Sequence, residues 1–240
     1  MTKSFFFCII FVFSYFYNSA QINQMHVFAG INYGGPIPTN SIPNSSGKPI
    51  IGINSGLGYT FKISGKLAII SELFLSTKGT EYSQTYTRDT LVKINIMGVQ
   101  GEVPSYYTAY VNGKMKFYYL DFALLMAYKT KFTSFLIGPY ISGIISGKDV
   151  GSVRIMIGDG GFYDDFYQDF DNYSFIHKID AGFIAGSLIP IYKKLSLTFK
   201  LSRSFISIYK DGFFISKGNS DNKLFNTYIY LSIAYKLGNI

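Results

Sequence analysis

Eight segments of strand character, several with clean period-two alternation and joined by connections that are long and short in turn, point this chain to a closed antiparallel sheet. The segments run over Met25–Tyr33, Ile51–Ile63, Lys66–Thr77, Phe117–Lys129, Phe132–Ser146, Tyr173–Leu188, Leu195–Phe205 and Phe225–Leu237. In the seventh, Leu195, Leu197, Phe199 and Leu201 fall on one face, and Ser196, Thr198, Lys200 and Ser202 on the other. In the eighth, Ile229, Leu231, Ile233, Tyr235 and Leu237 oppose Asn226, Tyr228, Tyr230, Ser232, Ala234 and Lys236. Such alternation is the signature of a strand between two different environments. Short turns follow the second, fourth and sixth segments, at Ser64-Gly65, Thr130-Lys131 and Ile189–Lys194. Long loops occupy Gly34–Ile50, Lys78–Lys116, Gly147–Asn172 and Ile206–Leu224. In a ring of up-and-down strands, all short turns then share one rim and all long loops the other.

That rim asymmetry belongs to barrels with short periplasmic turns and longer outer loops. The expected fold is therefore all-β: an eight-stranded antiparallel up-and-down transmembrane β-barrel. Composition supports lipid as the outer solvent. Aromatics make up 18% of the chain and charged residues only 15%, with a slightly positive mean hydropathy of +0.19. No helix-length apolar run follows residue 20, and a helical span needs about 20 such residues. Thr90–Met97 reads as an outer β-ribbon outside the spanning set. Two further strands there would give a ten-stranded barrel.

The first 20 residues read as a secretory signal peptide, with residues 21–240 forming the barrel domain. Lys3 supplies the positive start, Phe5–Tyr17 the apolar run, and Asn18-Ser19-Ala20 the small residue before the cut. The implied destination is the bacterial outer membrane. Cys8 is the only cysteine and lies within that leader. The mature domain is then without disulfides, thiolate metal sites or a cysteine nucleophile.

The net charge of +8 invites a nucleic-acid reading, but export and the placement of the lysines argue otherwise. An aromatic precedes lysine at the end of each descending strand: Phe61-Lys62, Tyr128-Lys129, Tyr192-Lys193 and Tyr235-Lys236. Aromatic rings favour the headgroup level, and lysine reaches beyond it to phosphate. Phe61, Tyr128, Tyr192, Tyr235, Lys129 and Lys193 are thus expected in a periplasmic interface girdle. The expected partners are outer-membrane lipid and lipopolysaccharide, with a protein partner at the outer loops.

The inward parity carries charge. Glu72, Asp121 and Asp180 share it with Lys62, Lys178, Lys200 and Lys236. Eight strands leave an interior that side chains just fill, and an unpaired buried charge costs several kcal/mol. These residues are expected to pair and plug the lumen. An ion path or a catalytic carboxylate pair is the competing use. His26 and His177 fall at opposite rims, which disfavours a shared metal. His177 with loop aspartates would be the remaining route to a hydrolase. Residues 157–171 hold five aspartates among glycines and aromatics. Their spacing does not follow the regular calcium loop, so no cofactor is expected.

Several short motifs, in order, resemble the PorT-like outer-membrane β-barrel family of Bacteroidetes-type bacteria. They are Leu67–Gly79 with its Glu72-Leu73 centre, Tyr119–Leu125, Gly138-Pro139-Tyr140, Asp180-Ala181-Gly182 and Leu201–Ser204. The chain departs from that pattern at Leu237-Gly238-Asn239-Ile240, where a terminal aromatic is usual. The resemblance implies an exported barrel; some members assist protein secretion or gliding. Three functions are open at this point: a non-enzymatic barrel acting through its outer loops, a narrow pore or transport accessory, and a soluble lipocalin-like carrier.

Overall fold

The computed structural model describes residues 24–38, 45–96, 99–157, 164–170, 176–208 and 223–239. They form nine strands: β1 (Gln24–Pro38), β2 (Ser45–Lys62), β3 (Leu67–Ile96), β4 (Val99–Lys129), β5 (Ser134–Ile157), β6 (Asp164–Phe170), β7 (Ile179–Tyr192), β8 (Leu195–Ser207) and β9 (Leu224–Asn239). Every pairing is antiparallel. Eight strands close a ring through β1–β9 and β4–β5, while β6 pairs with β5 alone among the described residues. The fold is an all-β antiparallel barrel.

The three tight turns lie on the same rim as the first and last described strand ends, Gln24 and Asn239, which pair with each other. Side-chain and backbone groups close them. Ile63 N–H donates to Leu67 O at 2.9 Å, and Thr130 N–H to Thr133 O at 2.8 Å. The last turn is only Lys193-Lys194, because β7 runs on to Tyr192. It does so through a register shift between Pro190 and Tyr192, since proline has no ladder donor and is accommodated at a bulge.

Alternation separates two solvents. Along β8, Ser196, Thr198, Lys200, Ser202 and Ser204 are buried, while Leu195, Phe199, Leu201 and Phe205 are exposed. The same inversion holds around the ring: Ile53, Leu73, Phe122, Ile137, Phe183 and Leu231 all face outward. An outward apolar belt over an inward polar face has hydrocarbon as its solvent. The interior holds two apolar clusters. One joins Phe28, Ile70, Phe74, Leu125, Leu136 and Ile184; the other joins Met115, Phe117, Tyr119, Ile176, Ile208 and Leu224.

Three expectations about the long loops are corrected. Lys78–Lys116 is not a loop with an added ribbon, because β3 and β4 continue as one hairpin, in register from Leu67↔Tyr128 to Ile96↔Val99. The ten-stranded alternative falls with it. Within 147–172, β5 continues to Ile157 and part of the aspartate-rich stretch becomes β6; Gly158–Tyr163 and Asp171 lie outside the described residues. The sixth spanning strand starts at Ile179 among the described residues; residues 172–175, including the expected start at Tyr173, lie outside them. The cause is common. Beyond the membrane neither sheet face meets lipid, so apolar alternation fades while the hydrogen-bonded ladder continues.

Glycines sit where inward rings need space. Directly opposite Tyr82 is Gly113, opposite Phe74 is Gly56, opposite Phe117 is Gly147, and opposite His26 is Gly58. A Cβ on Gly58 would lie 2.1 Å from His26 Nε2. A ring laid over a cross-strand glycine fills the lumen and shields bare backbone. Gly58→Val is expected to destabilise the barrel by about 1–3 kcal/mol, the usual cost of overpacking. His26→Ala in the same chain should recover most of that loss in urea unfolding followed by heat-modifiable migration. A full-cost double variant would sink the ring-over-glycine account.

Candidate functional site

The lumen is crossed by one long cation. Glu72 on β3 and Lys200 on β8 stand on opposite walls, with three strands between them by either route around the ring. Lys200 Nζ donates to Glu72 Oε2 at 2.5 Å. His26 Nε2 stands 4.0 Å from Glu72 Oε1. Lys200 Nζ also lies 4.8 Å from the Phe28 ring centre and 5.7 Å from that of Phe74. The aromatic faces replace part of the hydration that the ammonium loses.

A second cluster gathers around Lys78 and Asp121. Lys78 Nζ donates to Asp121 Oδ1 at 2.6 Å and to Ser142 Oγ at 3.2 Å. Ser76 Oγ donates to Asp121 Oδ2 at 2.5 Å, and Ser142 Oγ donates to Asp121 Oδ1. The rings of Tyr119 and Tyr140 flank the ammonium at 4.6 and 5.3 Å. Asp180 instead accepts from neutral donors: Ser204 Oγ, Asn226 Nδ2 at 2.9 Å and Tyr140 Oη at 3.3 Å. Tyr228 Oη accepts from Gly79 N–H at 2.7 Å and donates to Gly79 O at 3.1 Å, tying β9 to β3.

Of the residues read from inward parity, Glu72, Asp121, Asp180 and Lys200 are buried in these clusters. Lys62 and Lys178 are corrected: both are exposed. Lys62 ends β2 at a turn and Lys178 precedes β7, so neither has barrel wall around it. Lys236 is half-buried opposite His26, with Lys129 and Lys62 acting on it as like charges. Lys78 was missed as the cation for Asp121. Its parity matches Glu72, Phe74 and Ser76, but truncating the third strand at Thr77 placed it in a loop. His26, Tyr140 and Asn226 have no charge-pair signal in sequence; only strand order brings them to the carboxylates.

Asn32 Oδ1, Asn54 Nδ2 and Ser202 Oγ are buried without a protein partner among the described residues. Their other contacts are Asn32 Nδ2 to Thr77 O at 2.7 Å and Ser232 Oγ to Asn54 Oδ1 at 2.7 Å. Internal water is the usual partner for such groups.

Outside the ring, the extension of β2–β5 forms a cleft bordered by Lys48, Tyr82, Asn112, Lys114 and Ser152. There Lys114 Nζ donates to Glu81 Oε1 at 2.7 Å. That bond, and then the ammonium charge, holds the Glu81 carboxyl below its ordinary pKa. His177 sits elsewhere, its backbone N–H bonded to Ile208 O at 2.8 Å. Among the described residues, no three His, Cys, Asp or Glu side chains gather as a metal site.

At the short-turn rim, Tyr128, Tyr192 and Tyr235 point outward, Phe61 is half-buried, and Lys129 and Lys193 are exposed. Tyr59 packs edge-on against Phe61 with centroids 4.5 Å apart, and Lys194 Nζ lies 5.9 Å from the Tyr235 ring centre.

An apolar outer belt, a polar interior and a closed hydrogen-bonded ring define a transmembrane β-barrel. The chain belongs to the outer membrane protein beta-barrel domain family, whose model matches residues 19–210. It is a protein of the bacterial outer membrane, seated in lipid. Solved structures similar to it include Ail of Yersinia pestis, at 10% identity over 90% of this chain and 100% of that one, with a TM-score of 0.41. OprG of Pseudomonas aeruginosa is 11% identical over 91% and 98%, TM-score 0.34. Neisserial surface protein A is 10% identical over 89% and 97%, TM-score 0.36. No curated protein matches the sequence.

Lys200→Met leaves Glu72 buried without its ammonium. It should cost about 3–5 kcal/mol, the range for breaking one side of a buried pair. Glu72→Leu combined with Lys200→Met should restore most of that stability. Urea unfolding midpoints in detergent micelles read both; two independent, additive losses would count against a coupled strut.

Proposed function

We propose that this is a non-enzymatic outer-membrane barrel whose lumen is plugged by side chains and whose outer extension carries its interactions. The single observation behind the plug is the Lys200–Glu72 bond between opposite walls. A side chain that reaches from one wall to the other leaves no continuous aqueous path beside it in an eight-stranded ring. The Lys78–Asp121–Ser142 cluster and the Asp180 cluster support the same reading at other points of the lumen. We read Glu72, Asp121, Asp180 and Lys200 as structural plug residues rather than a catalytic carboxylate set. Each of the three carboxylates accepts a hydrogen bond from a wall side chain, which supports a structural role.

Phe61, Tyr128, Tyr192, Tyr235, Lys129 and Lys193 act in this reading as the periplasmic interface girdle, with inner-leaflet phosphate as the lysines' counter-charge. Lipopolysaccharide would contact the opposite, outer side of the belt. The motif order over Leu67–Ser204 favours the PorT-like branch of the family, and the leader ending near Ala20 accounts for export. A soluble lipocalin-like carrier is not retained, because it would leave the belt of Ile53, Leu73, Phe122 and Leu231 in water.

A narrow pore is the second reading. Asn32 Oδ1, Asn54 Nδ2 and Ser202 Oγ, buried polar atoms without a protein partner among the described residues, favour it as a polar lining of the lumen. Planar-bilayer recording decides between the two. The wild-type protein is expected to give no stable unitary conductance, whereas Glu72→Ala with Lys200→Ala should open small, defined channels. Steady wild-type channels of one size would overturn the plug.

A further inference from the structure

Lysine gathers on one outward side of the barrel, just past the edge of the apolar belt. Along β4 the outward residues between Tyr128 and Tyr118 are Met126, Leu124, Phe122 and Leu120, all exposed. That stretch rises roughly 26 Å along the membrane normal, at about 3.4 Å per residue and a tilt of about 40°. The apolar band of an outer-membrane barrel is about 25 Å tall. Tyr118 therefore stands at the outer edge of the belt when Tyr128 stands at the inner one. Past Tyr118 the apolar residues stop, and the next outward positions of β4 are Lys116 and Lys114, both exposed. Lys116 Nζ lies 5.8 Å from the Tyr118 ring centre, which keeps the ammonium close to the belt's edge.

Neighbouring strands add to this charge. Lys148 of β5, also exposed, is directly opposite Lys116. Like charges opposed across an antiparallel pair are unfavourable, and no carboxylate among the described residues is within ion-pair distance of either. On its other side Lys116 is paired with Gly79, which has no side chain to cover it. One row further out, Lys48 of β2, Glu81 of β3 and Lys114 of β4 stand side by side. Glu81 accepts from Lys114, and the Lys48 charge also acts on it. That row runs on through Val150 to β6, where Asp169 is in register with Val150. Over β2–β5 these two rows hold four lysines against one carboxylate. The cleft at the upper row adds the hydroxyl and amide groups of Ser46, Ser83, Asn112 and Ser152. On β1 and β9, by contrast, the outward positions stay uncharged as far as the paired Ile37 and Phe225.

We propose that this face is a lipopolysaccharide site, in which Lys116 and Lys148 together hold a phosphate of an outer-leaflet lipopolysaccharide and the cleft above them takes its sugars. A phosphate seated between the two ammonium groups replaces their repulsion with charge-assisted hydrogen bonds from both strands. The acyl chains of the same molecule lie along the outward Leu75, Leu120 and Ile141, which are exposed at hydrocarbon depth. That apolar surface directly beneath the lysines suits a phosphate carried by a lipid, not a free one. The site rests on the reading that lipopolysaccharide meets the outer side of the belt, and is independent of whether the lumen is plugged.

The test measures binding of fluorescently labelled lipid A to the folded chain in zwitterionic detergent micelles. Lipid A carrying its phosphates should bind at least tenfold more tightly than lipid A stripped of them. Lys116→Gln combined with Lys148→Gln should erase that preference. Lys66→Gln combined with Lys131→Gln removes the same charge at the turn rim and should leave the preference intact. Inorganic phosphate at the same concentration should not displace the bound lipid. All these variants should keep heat-modifiable migration, showing that the barrel is folded. Equal losses in the two paired variants overturn the site, and so does displacement by inorganic phosphate. A wild type that binds both forms of lipid A equally also overturns it, yet leaves the belt's contact with lipopolysaccharide standing. Binding of neither form removes both readings. Each of these results leaves the plug, read separately by conductance, standing.

Discussion

Every backbone N–H and C=O that enters hydrocarbon must find its partner within the protein, because lipid offers none. In this chain the requirement is met by one contact above all: β1, the first described strand, pairs with β9, the last, from Gln24↔Asn239 to Pro38↔Leu224. Without that seam the sheet would present two open edges to lipid. With it, the strand count in the ring is even, both described ends fall on the turn side, and each side chain is committed to lipid or lumen by parity alone. A one-residue slip of β8 against its neighbours would exchange its two faces, turning Lys200 outward and Leu201 inward.

Closure also fixes how the interior is filled. Eight strands give a narrow tube, so its contents must be large rings, glycine gaps and long cations in mutual contact. Phe74 over Gly56 and His26 over Gly58 show the steric side of this; Lys200 reaching Glu72 shows the electrostatic side. Burying those charges costs several kcal/mol each unless partners are close, and the partners here come from both ionic and neutral donors. Asp180 is held by Ser204, Asn226 and Tyr140, with no lysine among the described residues bonded to it. The interior is thus not a simple chain of ion pairs but a packed core whose polar members happen to include charges.

Beyond the membrane the same strands are free of the lipid constraint. β3 and β4 run far past the 9–11 residues that a tilted spanning strand requires, and among the described residues β6 joins only β5. Here the sheet is open, has edges, and carries exposed ion pairs such as Glu81–Lys114. The division between a closed, buried barrel and an open, solvated sheet follows from solvent alone, within continuous strands.

Sequence by itself determined what depends on period and order: which face of β8 and β9 meets lipid, which rim carries the tight turns, and that the fold is all-β. These are local properties, since parity is carried by each residue's neighbours. It misjudged the outer extension, because ladder pairing continues where apolar contrast ends. It also identified Glu72, Asp121, Asp180 and Lys200 as inward without saying what each would touch. Tertiary structure alone decided that Lys200 meets Glu72 across 128 residues of chain, and that Lys78, not Lys62 or Lys178, meets Asp121. The physical reason is that a charge's partner is set by strand order around the ring and by height along it. Neither quantity is written in the spacing of residues along a single strand.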